Sequence, residues 1–209
     1  FRRISTVGLS SEQFGSITAG RQINQLFLQS FLNNVRLAHS GSMAVVGGLK
    51  YSVSANDNTD TGIFQSNTIA YTTPTFNGLN ATLTKQLGGV AGNTNKASSY
   101  SYGVNYTNGP LALVGVHEEH KDVNGVAQNR NTLLGAKYTI GAVQLNVGHT
   151  TYKDPSGTPS VDTKALEVGA AYSFTPSLVG ALNHVSFKDH VANKTPTIDT
   201  LSLKYALSK

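Results

Sequence analysis

Apolar and polar side chains alternate along much of the chain. Counting back in steps of two from Tyr71, Tyr106, Tyr138, Tyr172 and Tyr205 gives Ile69; Val104 and Tyr102; Ala136 and Leu134; Ala170, Val168 and Leu166; Leu203 and Leu201. The positions between them are Ala70 and Thr68; Asn105, Gly103 and Ser101; Lys137 and Gly135; Ala171, Gly169 and Glu167; Lys204, Ser202 and Thr200. Successive strand residues point to opposite sides, so a period of two predicts strands with one apolar face and one small or polar face. The five tyrosines stand 35, 32, 34 and 33 residues apart, the first four each just before a turn signal such as "TNGP" or "TIG". A second apolar run follows those turns, as in "PLALVGVHEE" and "AVQLNVGHTTY", and polar segments follow at 88–98, 120–130, 153–163 and 188–197. Each repeat therefore reads as strand, tight turn, strand, long loop.

Eleven strands are predicted, over 2–9, 16–22, 66–73, 79–87, 99–107, 111–119, 131–139, 142–151, 164–173, 178–187 and 198–207. No window approaches the eighteen apolar residues of a membrane-crossing helix. Strands need only about ten residues each, and in hydrocarbon their backbone groups must be paired in a closed sheet. Tight turns on one side, long loops on the other and an aromatic rim describe an all-β, antiparallel transmembrane β-barrel. A propeller would blur the alternation, and a sandwich would need the apolar face inside. An odd strand count puts the two ends on opposite sides of the membrane and leaves two edges, so the piece reads as an incomplete barrel within a single domain, 1–209. No leader is read in "FRRISTVGLS".

Composition sharpens this picture. Charged residues make up 13% of the chain, about half the usual share, while Gly alone contributes 21 residues, a balance that suits a polar but weakly ionic β protein. The net charge of +5 is spread thinly, without a basic run interleaved with aromatics, which argues against a nucleic-acid partner. Without cysteine there is no disulfide and no thiolate metal site.

The stretch "RRISTVGLSSEQFGSITAGRQ", followed in order by "SNTIAYTTPTFNGL", "YGVNYTNGPLAL", "LLGAKYTIGAVQL", "VGAAYSF" and "LKYALSK", resembles the general porins of Gram-negative bacteria, particularly their β-proteobacterial branch. The resemblance covers essentially the whole chain. It implies strands 4 to 14 of a sixteen-stranded, trimeric barrel in the outer membrane: a passive diffusion channel for ions and small hydrophilic solutes, without cofactor or catalysis.

The same resemblance implies that 23–66 is the third loop, folded into the barrel as the constriction, and that Arg3 and Arg21 belong to an arginine cluster facing it. The segment contains "LFLQSFLNNVRLA", where Leu28, Phe31, Leu32 and Val35 would share a helical face. Alternation alone leaves Arg21 free to point either way, but an arginine facing lipid near mid-membrane costs about 2–4 kcal/mol. A third arginine expected before "SNTIAY" is absent, Gln65 or Ser66 standing there, which weakens the case for strong anion selectivity. Asp57 and Asp60, the only acids between Glu12 and Glu118, are candidates to oppose the arginines across the constriction. Parity puts Lys137, Glu167 and Lys204 on the pore lining and Tyr71, Tyr106, Tyr138, Tyr172 and Tyr205 in an aromatic girdle. The small outward positions Thr6, Gly8, Thr18 and Gly20 are candidates for a subunit contact.

His117, His149 and His184 also recur with the repeat, but they fall on alternate strands about 10 Å apart, too far for one zinc ion; they are read as loop-side rim residues, with no metal site. "HVS" at 184–186 puts His184 and Ser186 on one face, as a lipid-hydrolysing barrel would need, but no orienting third residue is evident. A barrel acting as adhesin or receptor through its loops is the other alternative.

Overall fold

The computed structural model describes residues 3–31, 62–156 and 160–207. Alternation does produce strands: β1 Ser5–Ser11, β2 Gly15–Ile23, β3 Phe64–Thr72, β4 Leu79–Gln86, β5 Ser99–Asn108, β6 Leu111–Lys121, β7 Ala127–Ile140, β8 Val143–Lys153, β9 Asp162–Thr175, β10 Leu178–Asp189 and β11 Thr197–Tyr205. Each pairs antiparallel with its neighbours in sequence, in one open eleven-stranded sheet with β1 and β11 at its edges. A short helix, α1, Gln25–Ser30, follows β2.

Turn chemistry explains the asymmetry of the two ends. Asn77 and Gly78 both have positive φ, and Phe76 and Leu79 exchange backbone hydrogen bonds across them, the geometry of a two-residue hairpin whose twist matches that of its strands. A Cβ at Gly78 would also lie 2.1 Å from the Thr107 carbonyl oxygen, so only glycine fits there. On the other side the connections are longer, but the polar segment 120–130 is not all loop. β6 runs to Lys121 and β7 begins at Ala127. The Glu119 carboxylate and the Arg130 Nε, 2.6 Å apart on facing positions, extend the ladder beyond the apolar band. β-Pairing needs backbone partners rather than greasy side chains, which is why composition set that boundary too early.

The sheet is bifacial and curved. Val104 and Leu134 are 45% and 58% exposed, whereas Val116 and Leu133, of like size on the opposite face, are 2% and 0% exposed. Side chains converge on a concave face and splay on a convex one. The convex row holds Val147, Leu166, Val168, Leu182, Leu201 and Leu203; the concave row holds Thr82, Ser101, Asn105, Asn146, Glu167 and Asn183. Thr6, Gly8, Thr18 and Gly20 are a correction: Thr6 faces Gly20, Gly8 faces Thr18 and Thr18 faces Ala70, all on the concave side, while Val7, Leu9 and Ile17 take the outward row. The apolar members of these strands claim the lipid face and leave the small ones inside.

Nitroxide labels at Val104, Leu134 and Val168 of the folded full-length chain are expected to report an oxygen-rich apolar medium, and labels at Asn105, Gly135 and Glu167 an aqueous one; the reverse would overturn the assignment of faces. In the loop after β8, burial raises the Asp154 carboxyl but hydrogen bonds from Ser156 and Ser160 outweigh it, holding it at about 2. Since that lies below the ordinary value of 3.8, its contribution to loop order is complete above 3.8 and is lost as pH falls toward 2. A carboxyl chemical-shift titration of Asp154 checks this, and a midpoint at or above 3.8 counts against the hydrogen-bonded loop.

Candidate pore lining

Concave positions on facing strands form continuous rows. One runs Thr84, Ser101, Glu118, Asn131, Tyr152 and Thr163 near the long loops. A second runs Ala112, Lys137, Asn146, Gly169, Asn183 and Thr200 nearer the short turns. Hydroxyls, amides and glycine dominate, a surface that water wets.

Helix α1 lies on this inner face. Asn24 caps it, its side-chain oxygen accepting from the Phe27 N–H at 3.1 Å, and its own N–H donates to the Ile63 carbonyl at 2.8 Å, joining the two ends of the long segment between β2 and β3. Leu26 fills a pocket formed by Val114, Val116, Leu133 and Tyr152, with Phe27, Ile63 and Val161 around it. Gln29 approaches Gly103 closely: a Cβ there would sit 3.6 Å from Gln29 Cγ.

Beneath the helix, the fully buried Glu118 accepts from Asn24 Nδ2 and Asn131 Nδ2, each at 2.8 Å, and lies 3.2 Å from His120 Nε2. A carboxylate has enough lone pairs to take both amides, and charged acceptors make the stronger hydrogen bonds. This anchor was not anticipated. Glu118 directly follows His117, read as a rim residue, and its partners Asn24 and Asn131 are 94 and 13 positions away in sequence; only the period-two count, which puts Glu118 on the inner face with Val116 and Val114, carried a signal. The helix also turns differently from expectation. Leu26 is its buried apolar residue, while Leu28 and Phe31 are exposed; Leu32 and Val35 lie outside the described residues. A six-residue helix presents too short a stripe for spacing to fix its rotation.

The expected site residues divide. Lys137 and Lys204 stand on the concave rows, opposite Ala112 and Asn146 and opposite Val179 respectively. Glu167 is concave too, but fully buried, accepting from Asn183 Nδ2. Tyr71, Tyr106, Tyr138, Tyr172 and Tyr205 stand on convex rows at the turn-side ends of β3, β5, β7, β9 and β11, next to Ile17 and Leu83, Leu79 and Leu113, Leu111 and Leu145, Val143 and Gly180, and Leu178. Arg3 is exposed just before β1, and Asp57 and Asp60 lie outside the described residues.

Arg21 sits beside an irregularity in the ladder. The β2–β3 register slips so that Gly20 faces Thr68 and Gln22 faces Gln65, leaving Arg21 opposite a bulge at Ser66 and Asn67. Thr18 and Gln22 bond side chain to side chain on the concave face, so Arg21 falls between them on the row of Ile17 and Ala19, facing outward. It is buried, donating to Ser66 Oγ and stacking over Phe64 at 5.6 Å from the ring centroid.

His117, His149 and His184 stand on the convex side. His117 Nδ1 pairs with Thr132 Oγ1 at 2.9 Å and His184 Nδ1 with Asp199 Oδ1 at 2.6 Å. No group of three or more metal-ligating side chains occurs among the described residues.

Residues 1–209 match the sequence signature of a family described as Gram-negative porin. The chain belongs to the Gram-negative porin family. Membership places this porin in the outer membrane as a β-barrel chain. It is 31% identical over 181 residues to outer membrane porin protein 32 of Delftia acidovorans, a match covering 82% of this chain and 50% of that one. Its fold is similar to the anion-selective porin from Comamonas acidovorans, with TM-score 0.79 and 25% identity over all of this chain and 64% of that one. It also resembles OmpF of Salmonella typhi, solved with daunomycin, at TM-score 0.73, 17% identity, and 99% and 67% coverage. The porin chain thus spans about half the length of the curated relative it matches.

Truncating Leu26 to Ala should cost about 3 kcal/mol of helix docking, and Glu118→Ala should leave two buried amides without their acceptor. Both variants of the full-length porin are expected to speed hydrogen exchange at the Phe27 and Leu28 amides by tenfold or more. Unchanged exchange in both would show that α1 is held by something else.

Proposed function

We propose that this chain forms the wall of a general diffusion porin, a water-filled passage for passive movement of ions and small hydrophilic solutes. One observation carries the reading: an apolar convex face and a polar concave face on the same strands, with α1 drawn onto the concave one. Such a wall does no chemistry; it removes the hydrocarbon barrier and filters by width and charge. The segment 23–66 is proposed as the constriction because it begins by docking inside the sheet, Leu26 in the wall and Asn24 on Glu118.

A mild anion preference follows from which inward charges are engaged. Glu118 and Glu167 are buried with amide partners, whereas Lys137, between Ala112 and Asn146, and Lys204, opposite Val179, make no ion pair among the described residues. The name of the Comamonas acidovorans porin states the same sign for that protein. Arg3 and the acids Asp57 and Asp60 are proposed to add a transverse field at the constriction; Arg21, on its outward row, is not given that role. Assembly as a homotrimer is proposed from the family resemblance.

The adhesin reading predicts binding without conductance, and the hydrolase reading needs a Ser186–His184 hydrogen bond in addition to the His184–Asp199 contact; no such bond occurs among the described residues. Planar-bilayer recording of the full-length porin tests the proposal. Stepwise conductance that scales with salt is expected, and Lys137→Glu with Lys204→Glu should move the reversal potential in a salt gradient toward cation preference. A silent bilayer would sink the channel reading; an unmoved reversal potential would remove these lysines from selectivity.

A further inference from the structure

One buried imidazole plays no part in the anchor of α1 as described above. His120 is 1% exposed, on the concave face two positions beyond Glu118 on β6, and its Nε2 lies 3.2 Å from Glu118 Oε1. The ring is within reach of the carboxylate but not aligned to bond it, and neither Nδ1 nor Nε2 has a hydrogen-bond partner. Buried polar groups are ordinarily bonded. An imidazole left open beside a carboxylate is therefore a contact ready to close.

Apart from Glu118, the described residues that face the ring do not titrate. Ser99 on β5 and Asn129 on β7 stand opposite it in the register, and Gln86 on β4 lies beyond Ser99 and accepts from its hydroxyl. The helix and its cap bring Asn24, Gln25 and Gln29, all uncharged. On β6 itself Glu119 points to the convex side, where Arg130 of β7 holds it and Tyr100 and Lys85 continue its row, and Lys121 stands at the register slip that follows. Among the described residues, Glu118 is the charged group that the imidazole meets.

The two protonation states differ at that one contact. A neutral imidazole carries one N–H and one bare nitrogen, whereas the imidazolium donates from both. A proton on the ring turns the 3.2 Å approach into a charge-assisted hydrogen bond and gives a buried carboxylate its counter-charge. With α1 seated and water excluded, the attraction is strong; when α1 lifts, water screens the pair and most of the gain disappears. Protonation thus favours the seated state. That stabilisation is present at the acid end of the imidazole range and is lost as pH rises through it. Glu118 passes the effect on: it accepts from Asn24 Nδ2, and Asn24 caps α1 at the Phe27 N–H, accepts from the Leu28 N–H and donates to the Ile63 carbonyl at the far end of the long segment.

We propose that His120 is a proton-operated latch. As the imidazolium it closes on Glu118 and holds α1, the start of the segment 23–66, against the inner wall; as the neutral ring it lets the helix loosen. For its consequence in the channel the latch rests on the reading of that segment as the constriction, but its existence rests on the contact between His120 and Glu118 alone.

The test is hydrogen exchange of the folded full-length porin at the Phe27 and Leu28 amides between about pH 5 and about pH 8, read as protection factors so that the pH dependence of intrinsic exchange is divided out. Protection is expected to fall about tenfold or more from the acid to the alkaline end, while the Val116 amide, inside the β6 ladder, stays level. In His120→Gln the protection should no longer change with pH. Glu118→Gln, which leaves the ring no anion to close on, should flatten the profile likewise. Level protection in the parent, a fall shared equally by Val116, or an unaltered pH profile in either variant would overturn the latch. Conductance does not enter the measurement, so a channel that fails to conduct counts against the porin reading alone, and pH-independent protection against the latch alone.

Discussion

The constraint from which the rest follows is the need of every backbone N–H and C=O to find a partner where hydrocarbon offers none. It forces the strands into one uninterrupted antiparallel ladder from β1 to β11, each bonded to its sequence neighbour. Once that ladder exists, side chains have only two destinations. Those on the convex face must tolerate lipid and those on the concave face water, and the period of two becomes a division of labour across the wall.

Irregularities in the ladder occur where the chain must do something other than span. The bulge opposite Arg21 falls where β2 ends and the long segment departs inward. The slip at His120 and Lys121 lies where β6 leaves for its loop, just above the Glu118 anchor. There a buried carboxylate is tolerable because two amides and an imidazole surround it, whereas the same group on the convex face would meet acyl chains. The inner wall is thus not uniformly wet. An apolar pocket at Val114, Val116, Leu133 and Tyr152 receives Leu26, and this local dryness moors α1 to the wall.

Charge is sorted as sharply as hydrophobicity. Inward Glu118 and Glu167 are buried and hydrogen-bonded, inward Lys137 and Lys204 make no ion pair among the described residues, and outward cations collect at the loop-side rim over an aliphatic band. A modest formal charge of +5 is thereby divided between the two faces of the wall. Net charge alone conceals this, since both populations enter the same sum.

Much was legible before any coordinates. Eleven strands, their order, the tight-turn side and the faces of Val104, Leu134, Val168 and Lys137 follow from alternation, because strand geometry fixes which way each successive side chain points. What one period cannot carry is a change of phase. Arg21 sits beside a bulge that takes an extra residue from β3, and the rows of Thr6 and Gly8 depend on which of two weakly contrasted faces curves inward, so counting left the first open and misplaced the others. Nor could counting rotate a six-residue helix or bring Asn24 to Glu118 across 94 positions of sequence, since those depend on where the sheet's curvature places its inner surface. The sequence by itself determined the strands and the character of their two sides, because both are local. Only the tertiary structure decided which side chains meet across the lumen wall, because curvature and register belong to the whole sheet.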